Sequence, residues 1–163
     1  MSRLVIDRYA EGGPLLRYAA SGLAPEHETA TPGPGAWSIA QLVGHLLDTD
    51  LVFADRIKRV IAEDEPTLQA FDHEVWVERL GSAEMPVAEA ADLFAANRAW
   101  TARILRRCSD GDFARAGRHS EHGRQTLAEI LVKVTNHVDH HLRFLYTKRA
   151  NLGVALVPRY TAR

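Results

Sequence analysis

The stretch from Trp37 to Leu42 contains the clearest helix start in the 163-residue sequence. Ser38 is a suitable N-cap, and Gln41 stands three residues later, where a capping box places its partner. The apolar residues that follow recur at the spacing of one helix face until Pro66 stops the pattern. This stripe consists of Leu46, Phe53, Ile57 and Val60. The pattern predicts a long amphipathic helix with one buried face.

Two later stretches show the same pattern. Pro86 begins a helix that Asp110-Gly111 is expected to end. Thr126 and Glu129 form a second capping box in front of the last helix. The apolar positions are Val87, Ala90, Ala91, Phe94, Ile104 and Leu105 in the first of these helices, and Leu127, Ile130, Leu131, Val134, Val138 and Leu145 in the second.

The N-terminal part of the chain is predicted to be interrupted. Gly12 and Gly13 argue against a continuous helix, and Pro14 suits the first turn of a new helix that stops near Gly22. The stretch 24–36 contains three prolines and two glycines, so it is predicted to be a loop.

No stretch shows a clear strand pattern, and the tail Val154–Val157 is only a weak candidate. The segment 64–85 is predicted to be a long connection between the second and third helices, with room for one short helix. Four helices with apolar stripes and no sheet predict an all-α fold, a four-helix bundle. The length predicts a single domain, 1–163.

The composition excludes several classes of protein. The 20 basic and 21 acidic residues are interspersed and give a net charge of -1, so a nucleic-acid partner is not expected. The single cysteine, Cys108, excludes an intrachain disulfide and a multi-cysteine metal site. No apolar run suits a membrane span and no secretory signal is visible, so the chain is expected to be cytoplasmic, without a membrane partner.

The histidines of the last helix direct attention to metal chemistry. His137 and His141 lie four residues apart within its apolar stripe, so both rings face the same side. A helix can offer two metal ligands in this way, and inward-facing His45 on the second helix is a candidate for the third. Three protein ligands leave an open position, as in catalytic zinc sites. The alternative is that each ring is a core histidine bonded to a backbone carbonyl or a carboxylate.

The common metalloprotease motifs do not fit this helix. Val138 follows His137, where the H-E-x-x-H motif needs a glutamate, and His140 stands where the inverted motif needs one. Peptide hydrolysis of that kind is therefore not expected. His140 lies at the edge of the stripe, where a surface histidine is the default expectation and a dimer interface or support of a ligand is the alternative.

Several short motifs follow one another along nearly the whole chain. They are Trp37-Ser38-Ile39, Gly44 to Asp48, Phe71-Asp72, Arg98, His119 to Gly123, and His137-xxx-His141-Leu142. Their order and spacing resemble the DinB-like superfamily, which includes YfiT-type proteins, from Ile6 to about Leu145. The resemblance implies a four-helix bundle that forms a homodimer, with one divalent metal ion held by His45, His137 and His141.

The resemblance also implies a type of chemistry. Better-understood relatives are thiol-dependent transferases and isomerases that use bacillithiol or mycothiol, and other members are called metal-dependent hydrolases. We therefore expect a metal-dependent S-transferase, isomerase or hydrolase that acts on a small-molecule substrate. Zinc or nickel is the expected metal, iron or manganese is an alternative, and a low-molecular-weight thiol is a candidate cosubstrate. The competing hypothesis is a stress-related module that binds a metal or small ligand without turnover.

Three further residues are candidates for the site, and the sequence alone offers two roles for each. Asp48 is a candidate to accept the second N–H of a ligand imidazole, although an ordinary solvated acid is favoured. Arg98 is a candidate clamp for a substrate anion, or the partner of a surface acid. Asp72 either lies over the pocket or caps a turn, and the cap is favoured. Ser120 after His119 departs from the commoner His-Pro-Glu turn, so no role is carried over for that turn.

Overall fold

The computed structural model describes residues 3–31, 33 and 35–161, and four long α-helices dominate them. The long helices are α1 (Arg3–Ala20), α3 (Ile39–Ala62), α5 (Val87–Leu105) and α7 (Leu127–Asn151), and the short ones are α2 (Pro25–Thr29), α4 (His73–Arg79) and α6 (Asp110–Ala114). α1 packs against α5 and α7, and α3 packs against the same two helices. α1 and α3 therefore lie at opposite corners of a bundle, and α3 is a neighbour of α7.

The bundle core is apolar, and each long helix contributes to it. Leu16 of α1, Ile57 of α3, Phe94 of α5 and Leu131 of α7 are completely inaccessible to solvent. Burial of these stripes is the main stabilising contribution to such a fold. Within the described residues, no helix combines the length and the hydropathy that a membrane span requires.

Both predicted capping boxes are present. The Ser38 backbone N–H donates to Oε1 of Gln41 at 2.9 Å, and the Ser38 hydroxyl accepts from the Gln41 N–H at 3.2 Å. The Thr126 backbone N–H likewise donates to Oε2 of Glu129 at 2.8 Å. These caps satisfy backbone N–H groups that a helix start leaves unpaired, and they fix where α3 and α7 begin.

The first helix is continuous where the sequence predicts a break. α1 runs through Gly12, Gly13 and Pro14 without interruption. The glycines allow α5 to approach closely, because a Cβ on Gly12 would overlap Nη1 of Arg98, and a Cβ on Gly13 would lie 3.0 Å from the Cα of Ala95. Packing against α5 therefore outweighs the low helix propensity of the glycines and the proline.

A small three-stranded sheet is also present, which makes the prediction of a purely helical fold wrong in this detail. Its strands are β1 (Thr67–Leu68), β2 (Ala116–His119) and β3 (Gly123–Thr126). β1 pairs with β2 in parallel, and β2 pairs with β3 in antiparallel orientation. Strands of two to four residues are too short to show an alternating pattern in the sequence. The tail Val154–Val157 forms no strand.

Three predicted connections also differ from the structure. The predicted long connection 64–85 contains the one short helix that it allowed for, α4, but it also contains β1 and a 3₁₀ turn at Ser82–Glu84, and both α4 and that turn pack on α3. The predicted loop 24–36 contains α2. α5 ends at Leu105, and Asp110-Gly111 begins α6 behind the N-cap Ser109 instead of ending the preceding helix.

Candidate metal centre

Three histidines meet between α3 and α7. His45 lies in the second turn of α3, and His137 and His141 lie on consecutive turns of α7. Their ring centroids are 4.4 to 5.2 Å apart. The i, i+4 spacing on α7 and the adjacency of the two helices bring the three rings together.

The nitrogen atoms of this triad have the spacing of ligands to one ion. Nε2 of His45 lies 3.3 Å from Nε2 of His137. One nitrogen from each of the three residues lies within 4.8 Å of the others. Two nitrogens bound to one tetrahedral zinc ion at roughly 2.0 to 2.1 Å stand roughly 3.3 Å apart. The first pair already has that separation, and the third nitrogen is within a short side-chain adjustment of it.

Burial keeps the three imidazoles neutral. It lowers the pKa of His45 to about 3, that of His137 to about 2 and that of His141 to about 4. Desolvation is the largest cause in each case, and neighbouring histidine rings lower the pKa further. A neutral imidazole keeps the lone pair that binding to a metal requires.

The other ring atoms are consistent with a metal site. Nδ1 of His45 lies 3.5 Å from Oγ1 of Thr49, which restricts the orientation of the ring. Nδ1 of His141 is buried and has no hydrogen-bond partner among the described residues. An unpaired buried nitrogen is destabilising in the absence of a ligand. Neutral nitrogen donors of this kind fit zinc, nickel, iron or manganese ions.

Asp48 does not have the predicted contact with a histidine. It is half-buried, burial raises the pKa of its carboxyl group, and no hydrogen bond to an imidazole is found for it in the described part of the chain. Thr49 takes that position instead. At about 100° per residue, a residue four positions along stands closer to His45 on the helix surface than one three positions along.

Arg98 does not line the cavity, so its predicted role as a substrate clamp is corrected. The side chain is fully buried in the bundle core. Its Nε donates to Oδ1 of Asp50 at 2.8 Å, and Nη1 and Nη2 donate at 3.0 Å to the carbonyls of Tyr9 and Val134. Arg98 thus joins four helices through a buried guanidinium group, each of whose three nitrogens donates a hydrogen bond.

Asp72 caps α4, as the favoured alternative predicted. Its Oδ1 accepts from the backbone N–H groups of Glu74 and Val75 at 3.1 Å each. The cap places the next residue, His73, beside the triad, with its ring centroid 5.3 Å from that of His45. His73 was missed in the sequence because it follows a polar turn and belongs to no helical stripe.

A cavity of about 400 Å³ opens over the triad. Its lining includes Trp37 and His73 near the triad, and Arg56, His119 and Lys133 further along the wall. A volume of this size accommodates a small molecule. Arg56 was not predicted as a site residue, yet it lies eleven positions after His45, which is close to three helical turns, so the helical face could have revealed it.

The other residues with open roles lie outside the triad. His140 is exposed and its ring stacks edge-on against those of His141 and Phe144. The Cys108 thiol donates weakly to the carbonyl of Ile104 at 3.6 Å, and burial raises its pKa, so it lacks thiolate character.

Comparison with known proteins identifies the family. Residues 9–145 match the sequence model of the DinB superfamily. The chain belongs to the DinB superfamily. It is 28% identical over 139 residues to a Geobacillus kaustophilus protein, with 85% of this chain and 78% of that protein covered. It is 25% identical over 131 residues to an Oceanobacillus iheyensis protein, with 80% and 75% covered. Both relatives bear the name "putative metal-dependent hydrolase".

Two solved structures share the fold of this DinB superfamily member. YfiT of Bacillus subtilis, described as having an unusual four-helix bundle topology, superimposes with a TM-score of 0.85 at 22% identity, covering 91% of this chain and 86% of that one. The DinB-like protein YjoA of the same species gives a TM-score of 0.69 at 18% identity, covering 98% and 99%. The predicted family and its bundle architecture are thus confirmed.

Proposed function

We propose that this DinB superfamily member is a metal-dependent enzyme that holds one divalent metal ion through His45, His137 and His141. The observation that carries the proposal is the group of three neutral imidazole nitrogens, all within 4.8 Å of one another, at the wall of a cavity of about 400 Å³. Zinc or nickel suits this donor set best, and iron or manganese is the alternative.

The residues around the triad prepare the site for chemistry on a small molecule. When bound, a divalent metal ion acts as a Lewis acid and makes a water or thiol ligand more acidic. The three histidines would hold such an ion at the cavity wall, and three protein ligands would leave a position for substrate. Trp37, whose ring centroid is 4.9 Å from that of His45, lines the same cavity and offers an apolar surface beside the triad.

The reaction we propose is hydrolysis or transfer of a thiol to an electrophile. The names of the curated relatives favour hydrolysis, and the family resemblance favours a low-molecular-weight thiol as cosubstrate. The second candidate function is a module that binds metal or a small ligand without turnover. An assay of thiol conjugation and ester hydrolysis over a panel of electrophiles distinguishes the enzyme from the non-catalytic module. Turnover that stops on metal removal supports the enzyme, and tight binding without turnover supports the module.

Metal content is the direct test of the triad. Protein expressed in medium supplemented with zinc and nickel is expected to contain about one metal ion per chain by elemental analysis. Replacing both His137 and His141 with alanine should remove it. The matched control is His140→Ala, which lies on the same helix but is exposed, and which should keep the metal. Metal-free wild-type protein, or full occupancy in the double variant, contradicts the proposal.

We also propose a homodimer, on the strength of the family resemblance. Light scattering after size-exclusion chromatography is expected to give twice the 18.1 kDa chain mass. A monomeric mass at micromolar concentration would contradict it.

A further inference from the structure

Arg56 is a buried cation, and among the described residues no acidic side chain is bonded to it. Its side chain is only 4% exposed and lines the cavity over the triad. Nη2 donates to the carbonyl of Gln69 at 2.6 Å, whereas Nε is buried without a hydrogen-bond partner among the described residues. The adjacent acid, Asp55, is bonded to Arg59 at 2.7 Å instead. A buried guanidinium with an unused donor is destabilising unless something else binds it.

The position of this guanidinium is fixed by its neighbours. Its central carbon lies 5.0 Å from the centroid of the Phe53 ring, and its bond to Gln69 holds the other side. A guanidinium fixed in this way at the cavity wall favours binding of a planar or tetrahedral oxyanion through its terminal N–H groups.

His119 presents a second fixed donor to the same cavity. Its Nδ1 accepts hydrogen bonds from the backbone N–H groups of Glu121 at 3.2 Å and His122 at 3.3 Å. A neutral imidazole that accepts at Nδ1 carries its proton on Nε2, so Nε2 is a donor. Burial, followed by the charge of Arg56, lowers the pKa of His119 and favours this neutral form.

This arrangement argues against a second metal site at the turn between β2 and β3. His119, Glu121 and His122 each have an atom within 4.8 Å of the others, a spacing that an ion could use. Nδ1 of His119 is already engaged by two N–H groups, and its Nε2 carries the proton, so neither nitrogen has a free lone pair. The turn between β2 and β3 thus orients the Nε2–H of His119 as a hydrogen-bond donor.

The charges around the cavity favour a negatively charged ligand. Arg56 and Lys133 are the permanently charged cations among the described residues that line it, and Glu121 is the one acid. Lys133 and Glu121 are exposed, so solvent screens both, whereas the buried guanidinium of Arg56 is screened much less. Its charge therefore dominates that part of the cavity wall.

We infer that Arg56 and His119 form an anion subsite that binds the carboxylate or phosphate group of a small-molecule substrate whose reacting part lies at the histidine triad. The inference deepens the proposed function, because it rests on the same cavity and names the class of substrate. The subsite consists of residues that are distinct from the three metal-ligand candidates. An experiment can therefore disprove the anion subsite without disproving the metal site, and the reverse.

Calorimetric titration with phosphate and with succinate at constant ionic strength tests the subsite, with succinamide as the uncharged probe. The protein is used both as purified and after metal removal. Both anions, or one of them, should bind with a dissociation constant that rises at least about tenfold in Arg56→Met and by a smaller factor in His119→Gln. The anion with the lower dissociation constant shows whether the substrate group is a phosphate or a carboxylate. Arg59→Met, an exposed arginine on the same helix, should bind as the wild type does.

Several results would overturn the subsite. They are equal anion affinity in Arg56→Met and wild type, binding of succinamide as tight as that of succinate, and a second metal ion per chain that is lost in His119→Gln. Metal content measured on the same samples separates the two proposals. Anion binding by a protein without a metal site leaves the subsite standing and removes the proposed function. About one metal ion per chain with no anion binding removes the subsite and leaves the proposed metal site standing.

Discussion

Two buried arginines of this bundle show how differently the same group can be used. Arg98 is inaccessible and Arg56 is 4% exposed, and both guanidinium groups lie over aromatic rings. Arg98 donates to a carboxylate and two carbonyls, whereas Arg56 donates to one carbonyl and keeps a buried N–H group unused. Burial alone therefore does not distinguish the roles of the two arginines. The number of N–H groups that have a hydrogen-bond partner distinguishes a structural arginine from one that is available to bind a ligand.

The largest expected effect comes from removing the partner of Arg98. Asp50→Ala leaves a buried cation without its counter-ion, so the free energy of unfolding should fall by about 3 to 5 kcal/mol. Urea unfolding followed by circular dichroism measures this loss. The matched control is Asp55→Ala on the same helix. It removes an exposed ion pair of almost the same length, 2.7 Å against 2.8 Å, and should leave the midpoint nearly unchanged because solvent screens that pair. Equal effects of the two variants would contradict the structural role of Arg98.

A smaller loss is expected where α1 passes Arg98. Alanine in place of a helical glycine normally stabilises by about 1 kcal/mol. At Gly12 the added Cβ would overlap Nη1 of Arg98, so Gly12→Ala should instead destabilise by about 1 to 3 kcal/mol. The same unfolding measurement in an Arg98→Lys background should show a smaller penalty, because Lys has no Nη1 atom. Stabilisation by Gly12→Ala in the wild-type background would show that the close approach is not required.

Local signals in the sequence predict the parts of the fold that depend on one helix at a time. Ser38 with Gln41 and Thr126 with Glu129 mark the starts of α3 and α7 by hydrogen bonds within four residues, so both boundaries are correct. The continuity of α1 depends on Arg98 and Ala95 of another helix. β1 joins the sheet by pairing with a segment about 50 residues away, and no local pattern contains that information. β2 and β3 pair locally, but strands of four residues are too short to show an alternating pattern.

The same distinction explains the candidate site. His137 and His141 share a helix face, so their convergence follows from spacing, and the inward stripe of α3 identifies His45. The roles of the arginines do not follow from spacing. Arg98 has its acid on α3, 48 residues away in sequence, and nothing near it predicts that pair. Arg56 lies on the His45 face of α3, but the absence of a partner for its Nε among the described residues is visible only once the surrounding segments are in place.

The smallest expected effect on stability, and the sharpest test of the comparison, is Arg56→Met. A buried cation without a counter-ion contributes little to folding, so an apolar side chain of similar length should change the free energy of unfolding by no more than about 1 kcal/mol, in the stabilising direction if at all. Phosphate or succinate should raise the unfolding midpoint of the wild type, because an anion that binds only the folded state stabilises it, and this rise should disappear in Arg56→Met. A loss of several kcal/mol in Arg56→Met without added anion would show that Arg56, like Arg98, is a structural cation. A variant that is as stable as the wild type, but whose unfolding midpoint no longer rises with anions, would show that Arg56 serves ligand binding and not folding.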